Sequence, residues 1–187
     1  MQELRFTVRD KRYPEQRLTL KNKGMVTLSA SDERRALAEI DEIRALKKHW
    51  RATTSPDLDF TVPVEGRWSS RFGLRRVFNG EPRNPHVGLD IAVPKGTPIR
   101  SSAQGRVLAT GDYFFNGKTV FVDHGNGLLG MYCHLERIDV APGQALARGQ
   151  ALGRSGASGR ASGPHLHWSV ILNGTMVDPE LFLAQPR

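Results

Sequence analysis

This chain contains little that would serve disulfide cross-linking or membrane insertion. Only one of its 187 residues is cysteine, Cys133, so neither an intrachain disulfide nor a zinc site built from several cysteines can form. No run of about 18 apolar residues is present, and we therefore predict no membrane span. The first five residues lack the basic and apolar pattern of a secretory signal. We expect either a cytosolic protein or a piece of a longer secreted precursor.

The overall composition is that of a soluble globular protein, with 39% hydrophobic and 25% charged residues. Most of the nineteen glycines and eleven prolines follow residue 60, which favours many short strands joined by tight turns. The net charge of +8 suits an acidic polymer such as nucleic acid, an anionic membrane surface or a bacterial cell wall. The cationic residues are scattered and form no recognisable nucleic-acid-binding module, so a generally solvated basic surface explains the charge equally well.

Hydrophobic periodicity divides the chain near residue 55. Alternating apolar residues predict two short extended segments within residues 4–28. After the capping serines at 29 and 31, apolar residues recur at helical spacing and predict an amphipathic helix over about residues 32–50. A polar stretch then leads to Pro56, which marks a boundary. We predict an N-terminal extension, residues 1–55, followed by a domain of residues 56–187.

The pattern of the domain predicts β-structure throughout, as in a sandwich or a barrel. Strand-like segments recur every 8–15 residues, with glycine, proline, asparagine or aspartate between them. A short internal echo, residues 141–146 followed by 147–152, indicates successive turns of short strands. The predicted strands are 60–64, 67–72, 88–92, 98–101, 105–110, 119–123, 130–134 and 168–172.

A pair of histidines near the end of the chain is the main candidate for chemistry. His165 and His167 stand two apart at the start of a predicted strand, so both side chains point to one face. They could share a metal ion, divide metal binding from proton transfer, or simply be solvated. The spacing alone leaves these alternatives open.

His86 and Asp90 offer further ligands, because an even spacing of four places both on one face of an extended segment. Two histidine nitrogens and a carboxylate oxygen form a catalytic zinc set that leaves a position open for water. His134 is available as a group that handles protons. If residues 130–134 form a regular strand, Tyr132 and His134 share a face and Cys133 points into the core. A thiolate ligand at Cys133 would require the opposite orientation.

Together, three blocks of this sequence resemble the lysostaphin-like (LytM-type) zinc metallopeptidases, which cut peptidoglycan. The resemblance covers about residues 60–180, including the lead-in 69–75 and the glycine-rich run 143–159. The three blocks are His86-Val87-Gly88-Leu89-Asp90, Tyr132-Cys133-His134-Leu135 and Gly163-Pro164-His165-Leu166-His167.

The resemblance implies a role for each matching residue. His86, Asp90 and His167 correspond to the family's ligands for one Zn²⁺ ion, and His134 and His165 to its two catalytic histidines. The family's fold is a β-sandwich-like domain of the duplicated hybrid motif type, with a groove across an antiparallel sheet. We also assign Tyr132 and Asn84 to substrate binding.

The implied function is zinc-dependent hydrolysis of peptidoglycan cross-links, with D-alanyl–diaminopimelate bonds as the expected substrate. Peptidoglycan is then the expected partner, with no nucleic acid, and we expect a monomer in the periplasm or elsewhere in the cell envelope. The alternative is a catalytically inactive relative that activates amidases or acts as a wall-binding scaffold. The complete set of expected ligands argues against that alternative.

Overall fold

The computed structural model describes residues 7, 10–18, 28–78, 80–82 and 84–183. The extended segments expected around residues 4–8, and at 18–20 followed by 26–28, lie largely outside these residues. The helix is α1 (Ala30–Lys47), and no helix in the described ranges is long and apolar enough to cross a membrane. The strands are β1 (Glu15–Leu18), β2 (Arg67–Ser70), β3 (Arg75–Phe78), β4 (Glu81–Pro82), β5 (Leu89–Ala92), β6 (Pro98–Arg100), β7 (Gly105–Tyr113), β8 (Gly117–Gly125), β9 (Leu128–Ile138), β10 (Ala145–Leu146), β11 (Ala151–Ser155), β12 (His165–Leu172) and β13 (Thr175–Val177).

The strands form a large sheet and a small one. The large sheet runs β10-β7-β8-β9-β12-β5-β2, with β13 paired to β12, and β11 paired to both β6 and β9. All of its strand pairs are antiparallel. In the small sheet β1 lies parallel to β3, and β4 pairs antiparallel with β3. The prediction of a mainly β, antiparallel fold is confirmed.

Both faces of the central strands are buried. On β12, Trp168 packs into the larger apolar cluster together with Tyr132 of β9. Ile171 of β12 and Cys133 of β9 belong to a second cluster, as expected from the alternation of side chains across a sheet. Cys133 is fully buried, which agrees with its predicted packing role. Burial on both faces explains why apolar residues occupy consecutive positions in these strands, at 120–122 of β8, 128–129 of β9 and 170–171 of β12.

The helix packs against the second cluster. The hydroxyl of Ser29 caps it by accepting a hydrogen bond from the Asp32 amide at 3.1 Å. Ile43 and Leu46 pack on the cluster, and Tyr113 of β7 donates to Glu42 at 2.9 Å. The predicted helix is confirmed, although it begins two residues earlier and ends three residues earlier than expected.

The internal echo corresponds to two equivalent turns. Gly143 and Gly149 both have positive φ, 86° and 76°, a conformation that favours glycine. In each turn a glutamine side chain accepts a hydrogen bond from the alanine amide three residues earlier. Arg106 and Arg100 donate to the carbonyls of Gly143 and Gly149, respectively. The repeated sequence therefore folds as a repeated structure.

One predicted strand is wrong and several short ones were not predicted. Over residues 60–64 only Phe60 forms a bridge, with Leu183, and Pro63 has no amide hydrogen with which to continue a ladder. The strands that the sequence did not indicate, β1, β3, β4 and β13, have two to four residues each. Such lengths are too short for a clear period.

Candidate metal centre and active site

Strand register brings the predicted ligands together. His167 of β12 lies opposite Asp90 of β5 on one side and Cys133 of β9 on the other. Asp90 lies opposite Ser70 of β2. His86 comes from the segment that leads into β5. The ladder between β12 and β5 thus places side by side two residues that are 77 positions apart in sequence.

The side chains of His86, Asp90 and His167 converge on one point. Asp90 Oδ1 lies 2.9 Å from His86 Nε2 and 2.8 Å from His167 Nδ1, and the two nitrogens are 3.1 Å apart. Within the described residues, this is the group of histidine, cysteine and acidic side chains that could hold a metal ion. Two imidazole nitrogens and a carboxylate oxygen are a donor set typical of catalytic zinc.

The outer nitrogen of each imidazole has its own partner. His86 Nδ1 lies 3.0 Å from the carbonyl oxygen of Arg71, which can only accept, so Nδ1 carries the proton and Nε2 is bare. A bare nitrogen 2.9 Å from a carboxylate oxygen is repelled unless a cation lies between them, so the arrangement fits a metal ion. His167 Nε2 lies 2.9 Å from Ser169 Oγ, which can accept the ring proton when Nδ1 binds a metal.

Local electrostatics favours the ligand forms of Asp90 and His167. Burial raises the pKa of Asp90, but the adjacent rings of His167 and His86 outweigh it and hold that pKa well below its ordinary value. Burial lowers the pKa of His167, with Asp90 opposing. An ionised carboxylate beside neutral imidazoles is the state that metal binding requires.

His134 and His165 form a second pair beside this group. Their ring centroids are 4.7 Å apart, and the His134 ring lies 6.0 Å from that of His167. Nδ1 of His134 donates to the Ser158 carbonyl at 2.9 Å, and Nδ1 of His165 to the Gly163 carbonyl at 2.8 Å. In the neutral form of each ring, Nε2 is therefore bare and able to accept a proton. Burial lowers the pKa of His134 to about 4, so this ring is neutral near pH 7.

The backbone at His134 departs from regular strand geometry. Its φ is 60°, a left-handed value that costs free energy for a non-glycine residue. Across from it the register with β8 shifts, because Lys118 pairs with Leu135 but Val120 pairs with Tyr132. This β-bulge breaks the side-chain alternation. His134 therefore lies on the side of His165 and His167 instead of continuing the face of Tyr132.

Two predictions about Tyr132 are corrected by this geometry. It does not share a face with His134, because the bulge intervenes. Its ring is fully buried and its hydroxyl accepts a hydrogen bond from the Ser102 amide at 2.9 Å. Tyr132 is a core residue and is not available to bind substrate. Asn84 is exposed, two residues before His86, and its assignment to substrate binding stays a prediction.

Several residues around the site were not anticipated from the sequence. Ser158 holds the His134 tautomer through its carbonyl, and its hydroxyl links Leu135 O to Lys118 N at 2.7 and 2.9 Å. Arg76 reaches within 3.7 Å of Asp90. Ser169 could have been found, because it follows His167 by two positions on the same strand face. The other two depend on loop and strand packing that has no signal in the sequence.

Comparison with known proteins agrees with this site. Residues 84–179 match the model of peptidase family M23, and the chain belongs to that family. This confirms the resemblance seen in the three histidine-containing blocks. M23 is a family of metallopeptidases, so this chain falls in the metallopeptidase class.

This chain spans only part of the length of the relatives that it matches. The chain is 42% identical over 119 residues to the peptidoglycan DD-endopeptidase ShyA of Vibrio cholerae, covering 62% of this chain and 28% of that protein. A putative M23 peptidase structure from Pseudomonas aeruginosa aligns with a TM-score of 0.74 and 47% identity, over 83% of this chain and 64% of that one. A zinc-containing peptidase structure from Vibrio cholerae aligns with a TM-score of 0.62 and 32% identity, over 68% and 40%.

Proposed function

We propose that this chain is a zinc-dependent endopeptidase that hydrolyses peptide cross-links of bacterial peptidoglycan. The observation that carries the proposal is the convergence of His86, Asp90 and His167 beside two histidines with bare Nε2 atoms, in a chain of family M23. The similarity to a protein named as a peptidoglycan DD-endopeptidase supports the substrate. D-alanyl–diaminopimelate bonds are the cross-links that we expect it to cut.

Zinc would be held by His86 Nε2, Asp90 Oδ1 and His167 Nδ1. When bound, it supplies Lewis-acid chemistry toward a peptide carbonyl and toward water. The chain's own contribution is proton handling. We assign His165 to accept the proton of the attacking water, because its Nε2 lies 3.9 Å from Asp90 Oδ1. The bare Nε2 of His134 orients that water by accepting a hydrogen bond.

Once protonated, His165 becomes a donor and can stabilise the negative charge that develops on the carbonyl oxygen. The Gly163 carbonyl stabilises this charged ring by accepting from its other nitrogen. The Ser158 carbonyl likewise accepts from Nδ1 of the neutral His134 ring. Because backbone carbonyls fix both tautomers, neither ring needs to reorient during the reaction.

The remaining features agree with an enzyme of the cell envelope. A net charge of +8 suits a wall polymer with free carboxylates. We propose that residues 56–187 form the catalytic domain, that residues 1–55 are an extension docked through α1, and that the chain acts as a monomer in the periplasm or outside the cell.

Substitution of the shared carboxylate tests the proposal directly. Asp90→Ala should remove stoichiometric zinc and abolish release of muropeptides from purified peptidoglycan, whereas Asp59→Ala, at an exposed position, should change neither. Mass analysis of the products identifies the bond. Unchanged zinc content and unchanged release in Asp90→Ala would contradict the proposal.

A further inference from the structure

The guanidinium of Arg76 lies beside the candidate metal centre. It comes from β3, and its Nη2 donates to Ser70 Oγ at 3.0 Å. The same nitrogen is 3.7 Å from Asp90 Oδ2, which is an ionic contact but too long for a hydrogen bond. Asp90 thus turns one oxygen to the two histidines and the other to Arg76.

Arg76 has few acceptors for its five N–H groups. Among the described residues only Ser70 Oγ accepts a hydrogen bond from it, and its buried Nε has no partner. The adjacent Arg75 is different, since its side chain is 62% exposed and pairs with Glu15. An unpartnered buried donor costs free energy, and the Arg76 side chain, 33% exposed, is accessible to a group that supplies oxygens.

Charge points to the kind of group that is missing. Within the described residues, Asp90 is the acidic group that forms an ion pair with Arg76. With a divalent cation at the centre and neutral histidines, the local charge is +2 for the ion, −1 for Asp90 and +1 for Arg76, which sums to +2. The cation draws the Asp90 charge toward Oδ1, so Arg76 loses much of its ionic partner. The loaded site therefore attracts an anion.

We propose that Arg76 binds a carboxylate of the substrate, on the residue next to the peptide bond that is cut. This inference rests on the proposed function and names the chemistry that the site recognises. A planar guanidinium fork matches a carboxylate with two parallel hydrogen bonds, which an ammonium cannot reproduce. In a D-alanyl–diaminopimelate cross-link, the carbon bonded to the scissile nitrogen carries such a carboxylate.

The experiment compares two cross-linked peptides that differ only in this group, one with the free carboxylate and one with a carboxamide. For the carboxylate substrate, Arg76→Gln should raise KM on the order of 10- to 100-fold with kcat retained, as expected for loss of a charged hydrogen bond. The KM of Arg76→Lys should lie between those of the unsubstituted protein and Arg76→Gln, because lysine keeps the charge but lacks the planar guanidinium. For the carboxamide substrate all three proteins should have similar KM values. Arg75→Gln is the matched control and should leave KM unchanged for both substrates.

Zinc content and thermal unfolding are measured for each variant. An equal rise in KM on both substrates would show that Arg76 acts only by positioning Asp90 or supporting the fold, and would overturn the inference. No rise in KM on either substrate would also overturn it. If the unsubstituted protein cut neither peptide, the proposed function would fail instead. Calorimetry with the zinc-loaded protein then tests Arg76 separately, using the amine-side product peptide in its carboxylate and carboxamide forms. Equal affinities for the two forms would contradict carboxylate recognition.

Discussion

His167 Nε2 lies 2.9 Å from the hydroxyl of Ser169, two residues further along the same strand. This contact gives the ring proton an acceptor on the side away from Asp90, which leaves Nδ1 bare toward the candidate metal centre. Ser169 is fully buried, so water cannot easily replace its hydroxyl. The serine can thus accept the ring proton on Nε2 when Nδ1 serves as the ligand.

Removing this hydroxyl should weaken zinc binding. We expect Ser169→Ala to lower zinc affinity roughly 10- to 100-fold, as loss of the hydrogen bond to a metal ligand commonly does, and Ser169→Thr to preserve most of it. Competition with a chromogenic chelator measures the affinity. Ser101→Ala is the control, because it removes a buried hydroxyl that donates to Ala103 O away from the site. Equal affinities in Ser169→Ala and the unsubstituted protein would refute this role.

Gly88 allows His167 and Ser169 to approach the segment before β5. A Cβ at residue 88 would lie 2.6 Å from Trp168 O, 2.7 Å from Ser169 Oγ and 2.8 Å from His167 Cε1. Gly88→Ala should therefore displace the ligand, lower zinc affinity and cost about 1–3 kcal/mol of stability. Gly163→Ala is the control, because nothing lies within 4 Å of its added Cβ. The prediction fails if both variants bind zinc and unfold alike.

Metal binding and proton handling should separate by residue. His86→Ala removes a proposed ligand and should abolish both zinc binding and activity. His165→Ala should retain zinc while the rate falls on the order of 10²- to 10⁴-fold, the usual range for a general base. Zinc analysis and muropeptide release are measured on the same preparations. Loss of zinc from His165→Ala would instead make it a ligand.

The metal-free protein should lose stability in acid partly through His134. Its folded pKa of about 4 lies below the ordinary value near 6.5, so the unfolded state binds a proton first. The contribution of His134 to the free energy of unfolding is fully present above pH 6.5. It is lost as the pH falls from 6.5 to 4, and it amounts to about 3 kcal/mol at ~1.4 kcal/mol per unit of pKa.

Denaturant titrations at several pH values measure this slope. His134→Asn should flatten it, and asparagine tolerates the left-handed backbone of residue 134. A residual slope is expected from His124, because burial also lowers its pKa. An unchanged pH dependence in His134→Asn would contradict the assignment.

The docked face of α1 should contribute stability, whereas its outer face should not. Leu46 packs on the second apolar cluster, so Leu46→Ala should destabilise the protein by about 1–3 kcal/mol in thermal or denaturant unfolding. Leu37 is 57% exposed on the same helix, and Leu37→Ala should change stability by less than about 0.5 kcal/mol. Equal effects would mean that the helix does not pack as described.

Local spacing predicted which side chains of the candidate site share a face. Residues two apart on a strand share a face, so His165 and His167 point the same way in the structure as predicted. The serine at 29 and the helical period after it placed α1 to within three residues. These features depend on neighbours in sequence, which is why the sequence by itself was sufficient for them.

Tertiary structure decided how these residues are used. The register between β12 and β5 joins His167 to Asp90, and the bulge at His134 turns its ring toward the site and leaves Tyr132 in the core. Arg76 reaches Asp90 only because β3 lies beside Ser70. A single-residue shift in strand pairing reverses every side chain, and that pairing depends on packing between segments far apart in the chain. The spacing of neighbouring residues therefore does not predict the strand pairing.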